Sequence, residues 1–123
     1  MSLNYYFNFS SSQMKTSIAL LLTSFSDETQ AISVVRSLVE EQCVACGTIL
    51  PKATSIYCWQ KKLKEVQEVM VLLKTSHHCV EKCMQRLKEL HPYSVPEIIA
   101  FEPMSVDSEY AQWVKEALCD TMF

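Results

Sequence analysis

Two unbroken aliphatic runs, at 17–23 and 69–73, constrain this chain more than any other feature. Ile18-Ala19-Leu20-Leu21-Leu22 and Val69-Met70-Val71-Leu72-Leu73 offer no polar position that water could face. Strands of that kind must be covered on both faces, so they belong at the centre of a sheet with packed layers on either side.

The segments around them alternate in period. After the first run, Asp27 followed three residues later by Gln30 reads as a helix cap, and Ala31, Ile32, Val35, Leu38 and Val39 form one stripe through about Gln42. Residues 43–57 read as extended, with Pro51 placing them on an edge strand or at a bulge. At about 3.3 Å per residue such a strand is about 50 Å long. A domain of this length has a radius of gyration of about 14 Å, so the strand bends or projects beyond the domain.

Residues 59–64 read as a turn and 66–75 as the returning strand. Ser76 caps the next helix, whose stripe is Val80, Cys83, Met84, Leu87 and Leu90. A short strand at 98–101 ends before Pro103, and Asp107 caps a last helix with Tyr110, Trp113, Val114, Ala117 and Leu118 facing inward.

The order is β-α-β-β-α-β plus a helix. With right-handed crossovers it gives an α+β, ferredoxin-like sandwich with an antiparallel sheet ordered 4-1-3-2. The aliphatic runs then fall at the centre and the proline-marked strands at the edges. A long, uncharged edge invites pairing with another chain, so an oligomer is expected.

Between the second helix and the last strand lies His91-Pro92-Tyr93-Ser94-Val95-Pro96-Glu97. Its two prolines forbid helix and central strand, and it presents an imidazole, a phenol and a carboxylate on a rigid connector. As plain structure, it is a helix stop feeding a strand.

Size and charge narrow the remaining choices. One domain is expected for 123 residues, spanning 16–119, with a flexible extension at 1–15 and a tail at 120–123. A net charge of −3 argues against nucleic acid as a partner. The run at 18–22 is too short for a signal peptide or a membrane span, and the six cysteines fall mostly at apolar positions. A reduced, cytoplasmic protein is expected. Cys43-x-x-Cys46 lies on extended chain, where i and i+3 point to opposite faces, so the pair is read as structural. His77 and His78, at a helix N-terminus, are read as neutral surface residues.

The segments Ala45-Cys46-Gly47-Thr48-Ile49-Leu50-Pro51, Ser55-Ile56-Tyr57-Cys58-Trp59 and His91-Pro92-Tyr93-Ser94-Val95-Pro96-Glu97 resemble the CutA divalent-cation tolerance proteins, a likeness running from about Ser17 to Leu118. That resemblance implies a homotrimer with long hairpins around a three-fold axis, no enzymatic activity, and tolerance of copper and other divalent cations. It also implies a likeness to the PII signalling trimers. The expected site is an inter-subunit cleft lined by Trp59, Lys74, Tyr93 and Glu97, with His91 as the metal donor, copper or zinc as the ion, and no organic cofactor. Lys74 is expected near Glu97 or Tyr93. The chain departs from the family's copper ligands: Thr23 stands for a cysteine and Leu90 for the first of two histidines. A hydrolase resembling the acylphosphatases is disfavoured, because Gly47 is the sole glycine and no phosphate cradle exists.

Overall fold

A computed structural model describes residues 17–118; the expected extension at 1–15 and tail at 120–123 lie outside them. The elements are β1 (Ile18–Phe25), α1 (Glu28–Glu40), β2 (Cys46–Trp59), β3 (Lys62–Ser76), a 3-10 turn (His77–Cys79), α2 (Val80–Leu90), β4 (Ile98–Phe101) and α3 (Ser108–Leu118). The four strands order as β2-β3-β1-β4, all neighbours antiparallel, which is the expected 4-1-3-2 read from the other side.

Side-chain alternation along the central strands divides the core. Leu21, Phe25, Val69, Val71 and Leu73 pack under α1 and α2, against Ala31, Val35, Leu38, Cys83 and Leu87. On the opposite face Ile18 packs against Val114 and Leu118 of α3, with Ala45, Val106 and Ala111 around them. Gly47 sits where α1 packs tightly on the sheet: a Cβ there would lie 2.5 Å from a Val35 methyl.

The helix starts follow the caps expected of them. The Asp27 carboxylate accepts from Gln30 N–H at 3.3 Å and Asp107 from Tyr110 N–H at 3.1 Å, each satisfying one orphan donor of a first turn. Ser76 does the same for Cys79 N–H at 3.2 Å, which starts a 3-10 turn that leads into α2.

Four expectations need correction. The turn at 59–64 shrinks to Gln60-Lys61, both at positive φ (51° and 64°), and the strands run on to Trp59 and from Lys62. A two-residue loop with both φ positive is the hairpin turn whose twist matches that of its strands. Second, β2 begins at Cys46, because Cys43 and Val44 belong to the core under the helices. Third, α1 buries Val34, while Ile32 and Val39 are exposed, since the sheet contact is centred one residue away from the expected stripe. Fourth, α3 buries Val114 and Leu118 but leaves Tyr110 and Trp113 about half exposed, stacked on each other with centroids 5.7 Å apart.

Pro51 marks both an edge strand and a bulge. The β2–β3 register shifts between Leu50 and Ala53, with Lys52 at φ 61°. Beyond the bulge the hairpin outruns the sheet: β1 pairs only with residues 69–76 of β3, so 62–68 are paired with β2 alone. That overhang is roughly 23 Å long.

Candidate functional site

The expected site begins where α2 ends. His91 is the C-cap of α2, its N–H bonded to Leu87 O at 2.9 Å, and Pro92 prevents another turn. The imidazole is 7% exposed and stacks on Phe25, with centroids 4.3 Å apart and planes 13° off parallel. Its Nε2 lies 2.8 Å from Ser24 O. A carbonyl oxygen can only accept, so Nε2 carries the hydrogen and Nδ1 the lone pair. That lone pair accepts the Tyr93 N–H at 3.1 Å. Burial holds the imidazole pKa below its ordinary value, which keeps the ring neutral.

These contacts bear on the expected metal role. As folded, neither His91 nitrogen has a lone pair free for an ion. Thr23, at the family's cysteine position, offers a fully buried hydroxyl with no partner among the described residues, and Leu90 offers carbon. The residues at this place do not fit a copper site, which needs several N or S donors. His91 instead acts as a post: it ties the connector to β1 and sets Tyr93, whose ring lies 4.7 Å from its own.

The other expected cleft residues stand apart in one protomer. Lys74 pairs with Leu20 on β1 and reaches toward β2, donating to Thr48 Oγ1 and lying 3.8 Å from Cys46 Sγ. Ser24, the anchor of His91, is four residues farther along β1, roughly 13 Å away. The expected approach of Lys74 to Tyr93 or Glu97 is therefore replaced by the Thr48 and Cys46 contacts. Glu97 is exposed just before β4, and Trp59 is 59% exposed at the hairpin tip.

Register explains what Trp59 is doing there. On one face of the overhang lie Trp59, Tyr57 and Val66; on the other lie Ile56, Cys58 and Leu63. Ile56 is 62% and Leu63 79% exposed. A two-stranded ribbon with apolar groups on both faces has no covering layer within its own protomer.

Cys43 and Cys46 part company, one in the core under α1 and one beside Lys74 on the other face. Cys43, Cys46, Cys58 and Cys83 are free thiols, and burial pushes the Cys83 thiol up to about 12. Cys119 lies outside the described residues.

The sequence reading missed one contact: His77 Nδ1 pairs with Glu102 Oε1 at 2.7 Å. The two residues are twenty-five positions apart, and only the pairing of β1 with both β3 and β4 brings their ends together. Among the described residues, no three His, Cys, Asp or Glu side chains are already grouped to hold an ion, and no helix is long and apolar enough to cross a membrane.

Comparison with known proteins agrees with this architecture. A family model described as CutA1 divalent ion tolerance protein matches residues 19–117. The divalent-cation tolerance protein CutA of Thermus thermophilus is 41% identical over 97 residues, covering 79% of this chain and 94% of its own. The crystal structure of CutA from Xylella fastidiosa superposes with a TM-score of 0.79 at 36% identity, covering 84% of this chain and 99% of the other. That of the divalent ion tolerance protein CutA1 from Ehrlichia chaffeensis gives 0.80 at 30% identity, with 85% and 97% covered.

Proposed function

The chain belongs to the CutA1 divalent ion tolerance family, and from that premise we propose that it works as a non-catalytic homotrimer binding a divalent cation or a small ligand in clefts between subunits. The observation that carries this reading is the overhanging β2–β3 ribbon, apolar on both faces and exposed at Ile56, Trp59 and Leu63. Burial of such a ribbon is favourable by about 25 cal/mol per Å² of apolar surface, and neighbouring copies of the chain can supply the cover. At the opposite edge of the sheet, Ile99 and Phe101 of β4 are also 50% and 43% exposed, a second apolar edge.

Each cleft is lined by Trp59, Lys74, Tyr93 and Glu97, brought together from different protomers. Copper and zinc are the cations that imidazole donors suit. His91 holds Tyr93 in place, its Nδ1 accepting the Tyr93 N–H. A cytoplasmic setting is consistent with the free thiols.

The engagement of both His91 nitrogens favours a second reading, a scaffold or sensor resembling PII in which metal binding is incidental. Native mass spectrometry of the metal-free chain, then offered Cu²⁺ and Zn²⁺, separates them. A trimer that takes up the ion supports the first reading, and a trimer that stays empty selects the second. A monomer at micromolar concentration overturns both.

A further inference from the structure

The face of the sheet turned away from α1 and α2 is only partly covered, and one charge sits on it. By strand alternation and register, Leu20, Leu22, Met70, Leu72, Ile99 and Phe101 share the face that carries Lys74. α3 covers that face at its Ile18 end, through Val114 and Leu118. Among the described residues of the four-stranded part, Lys74 is the one charged side chain on this side.

The surroundings of Lys74 are all polar without being acidic. Lys74 lies across from Cys46 in the β2–β3 register, and Thr48 follows on the same face. The ammonium donates to Thr48 Oγ1 and lies 3.8 Å from Cys46 Sγ. An ammonium has three N–H donors and a thiol is a weak acceptor, so at least one donor is left over. The Thr48 hydroxyl, accepting from Lys74, still has its own hydrogen to give. Ala45 and Ala111 pack on the same small cluster, which brings the first turn of α3 to this corner. The Tyr110 phenol is pushed up from its ordinary pKa, by burial first and by charge on Cys46 second, so it stays a protonated O–H beside that thiol.

Three donors at one corner, with no carboxylate among them, set the chemistry. Among the described residues no acid pairs with Lys74: Asp107 accepts from the Tyr110 N–H, and Glu102 pairs with His77. A positive group repels a cation and attracts an anion. The assembly proposed above would cover this face, and an ammonium taken from water without a counter-charge is strongly unfavourable. An oxyanion supplies that charge, with lone pairs enough for all three donors.

We infer that this corner of the cleft is an oxyanion site, where Lys74 and Thr48 hold the carboxylate or phosphate end of a small ligand and the Tyr110 hydroxyl donates to it. The inference rests on the small-ligand reading above and names the chemistry of the ligand.

The test is NMR titration of the full chain with inorganic phosphate and, separately, with acetate, with sedimentation of the same samples. Saturable amide shifts at Cys46, Thr48, Lys74 and Tyr110 are expected with at least one probe, and the probe that binds tells phosphate from carboxylate. Lys74→Arg keeps the charge and the binding. Lys74→Met, similar in length, lowers the affinity about 10–100-fold, the worth of a charged hydrogen bond. If neither anion gives saturable shifts there, or Lys74→Met binds as tightly as the unaltered chain, the inference is overturned, and a trimer in the same sample leaves the assembly standing. A trimer that takes an anion only as Glu97→Gln also overturns it and assigns Lys74 to an ion pair between protomers. A monomer that binds through Lys74 upholds the oxyanion site and removes the cleft.

Discussion

At the scale of single residues, three positions on different elements, Gly47, Thr23 and His91, are each fixed by a distinct packing role. Gly47 is the chain's only glycine, yet its role is close packing: its Cβ-less backbone lets Val35 of α1 approach the sheet. Gly47→Ala forces that contact apart and costs about 1–3 kcal/mol, to be read from urea unfolding. Thr23 carries a buried hydroxyl with no partner among the described residues, a debt of about 1–3 kcal/mol. Thr23→Val removes the hydroxyl at constant shape and raises stability by about 1 kcal/mol, measured as a higher melting temperature. His91 is buried neutral, with its pKa below the ordinary value. The unfolded chain therefore binds the proton more readily, so stability falls as pH drops through about 6.5 and levels off below the folded pKa. Chemical denaturation across pH 5–8 checks this against His91→Gln, in which that part of the slope disappears. None of these roles could be read from composition. The sequence marked His91 as important, but its hydrogen-bond partner Ser24 is distant in the chain and lies on another element.

Elements were the most legible scale, since each rests on local signals. Asp27 and Asp107 cap the helices they were expected to cap, Ser76 caps the 3-10 turn ahead of α2 instead of the helix itself, and Pro51 marks its bulge. Endings were harder to read because the chain does without glycine where glycine is usual. α1 closes with Cys43 N–H on Leu38 O at 2.9 Å and Gln42 N–H on Val39 O at 3.0 Å, a Schellman motif with Gln42 at φ 59°. The hairpin likewise turns on Gln60 and Lys61 instead of Asn-Gly, and no turn signal in the sequence tells those two from their polar neighbours. A non-glycine residue in left-handed conformation costs roughly 1–2 kcal/mol. The paired change Gln60→Asn and Lys61→Gly therefore stabilises the hairpin by about 1 kcal/mol, visible in thermal unfolding, and slower amide exchange at the strand ends near the turn goes with it. Unchanged exchange there means the turn strain is already relieved by the neighbours.

For the whole molecule, the stripes read from sequence miss a few buried positions such as Val34, but most of their failures run the other way. Ile32, Val39, Tyr110 and Trp113 were assigned to the core and lie exposed in the protomer, as do Ile56 and Leu63 on the overhang. Helical and strand periods report which side chains avoid water; they do not say whether the cover comes from the same chain or another. The proposed assembly would supply the cover that the protomer lacks, and Leu63 tests this best. It is 79% exposed, it lies on the same face of the ribbon as Cys58, and neither residue touches the protomer's core. Leu63→Lys leaves the fold of the isolated chain unaltered by circular dichroism but places a charge in the expected interface, where burying it unpaired is strongly unfavourable. Sedimentation at micromolar concentration then shows protomers in place of the assembly. Alkylation gives an independent reading, because Cys58 is an exposed thiol in the protomer and the proposed assembly would cover it. Cys58 reacts slowly in the unaltered chain and at the rate of an open thiol in Leu63→Lys, while buried Cys83 resists in both. Rapid alkylation of Cys58 in the unaltered chain places the ribbon in solvent and removes the assembly on which the cleft depends.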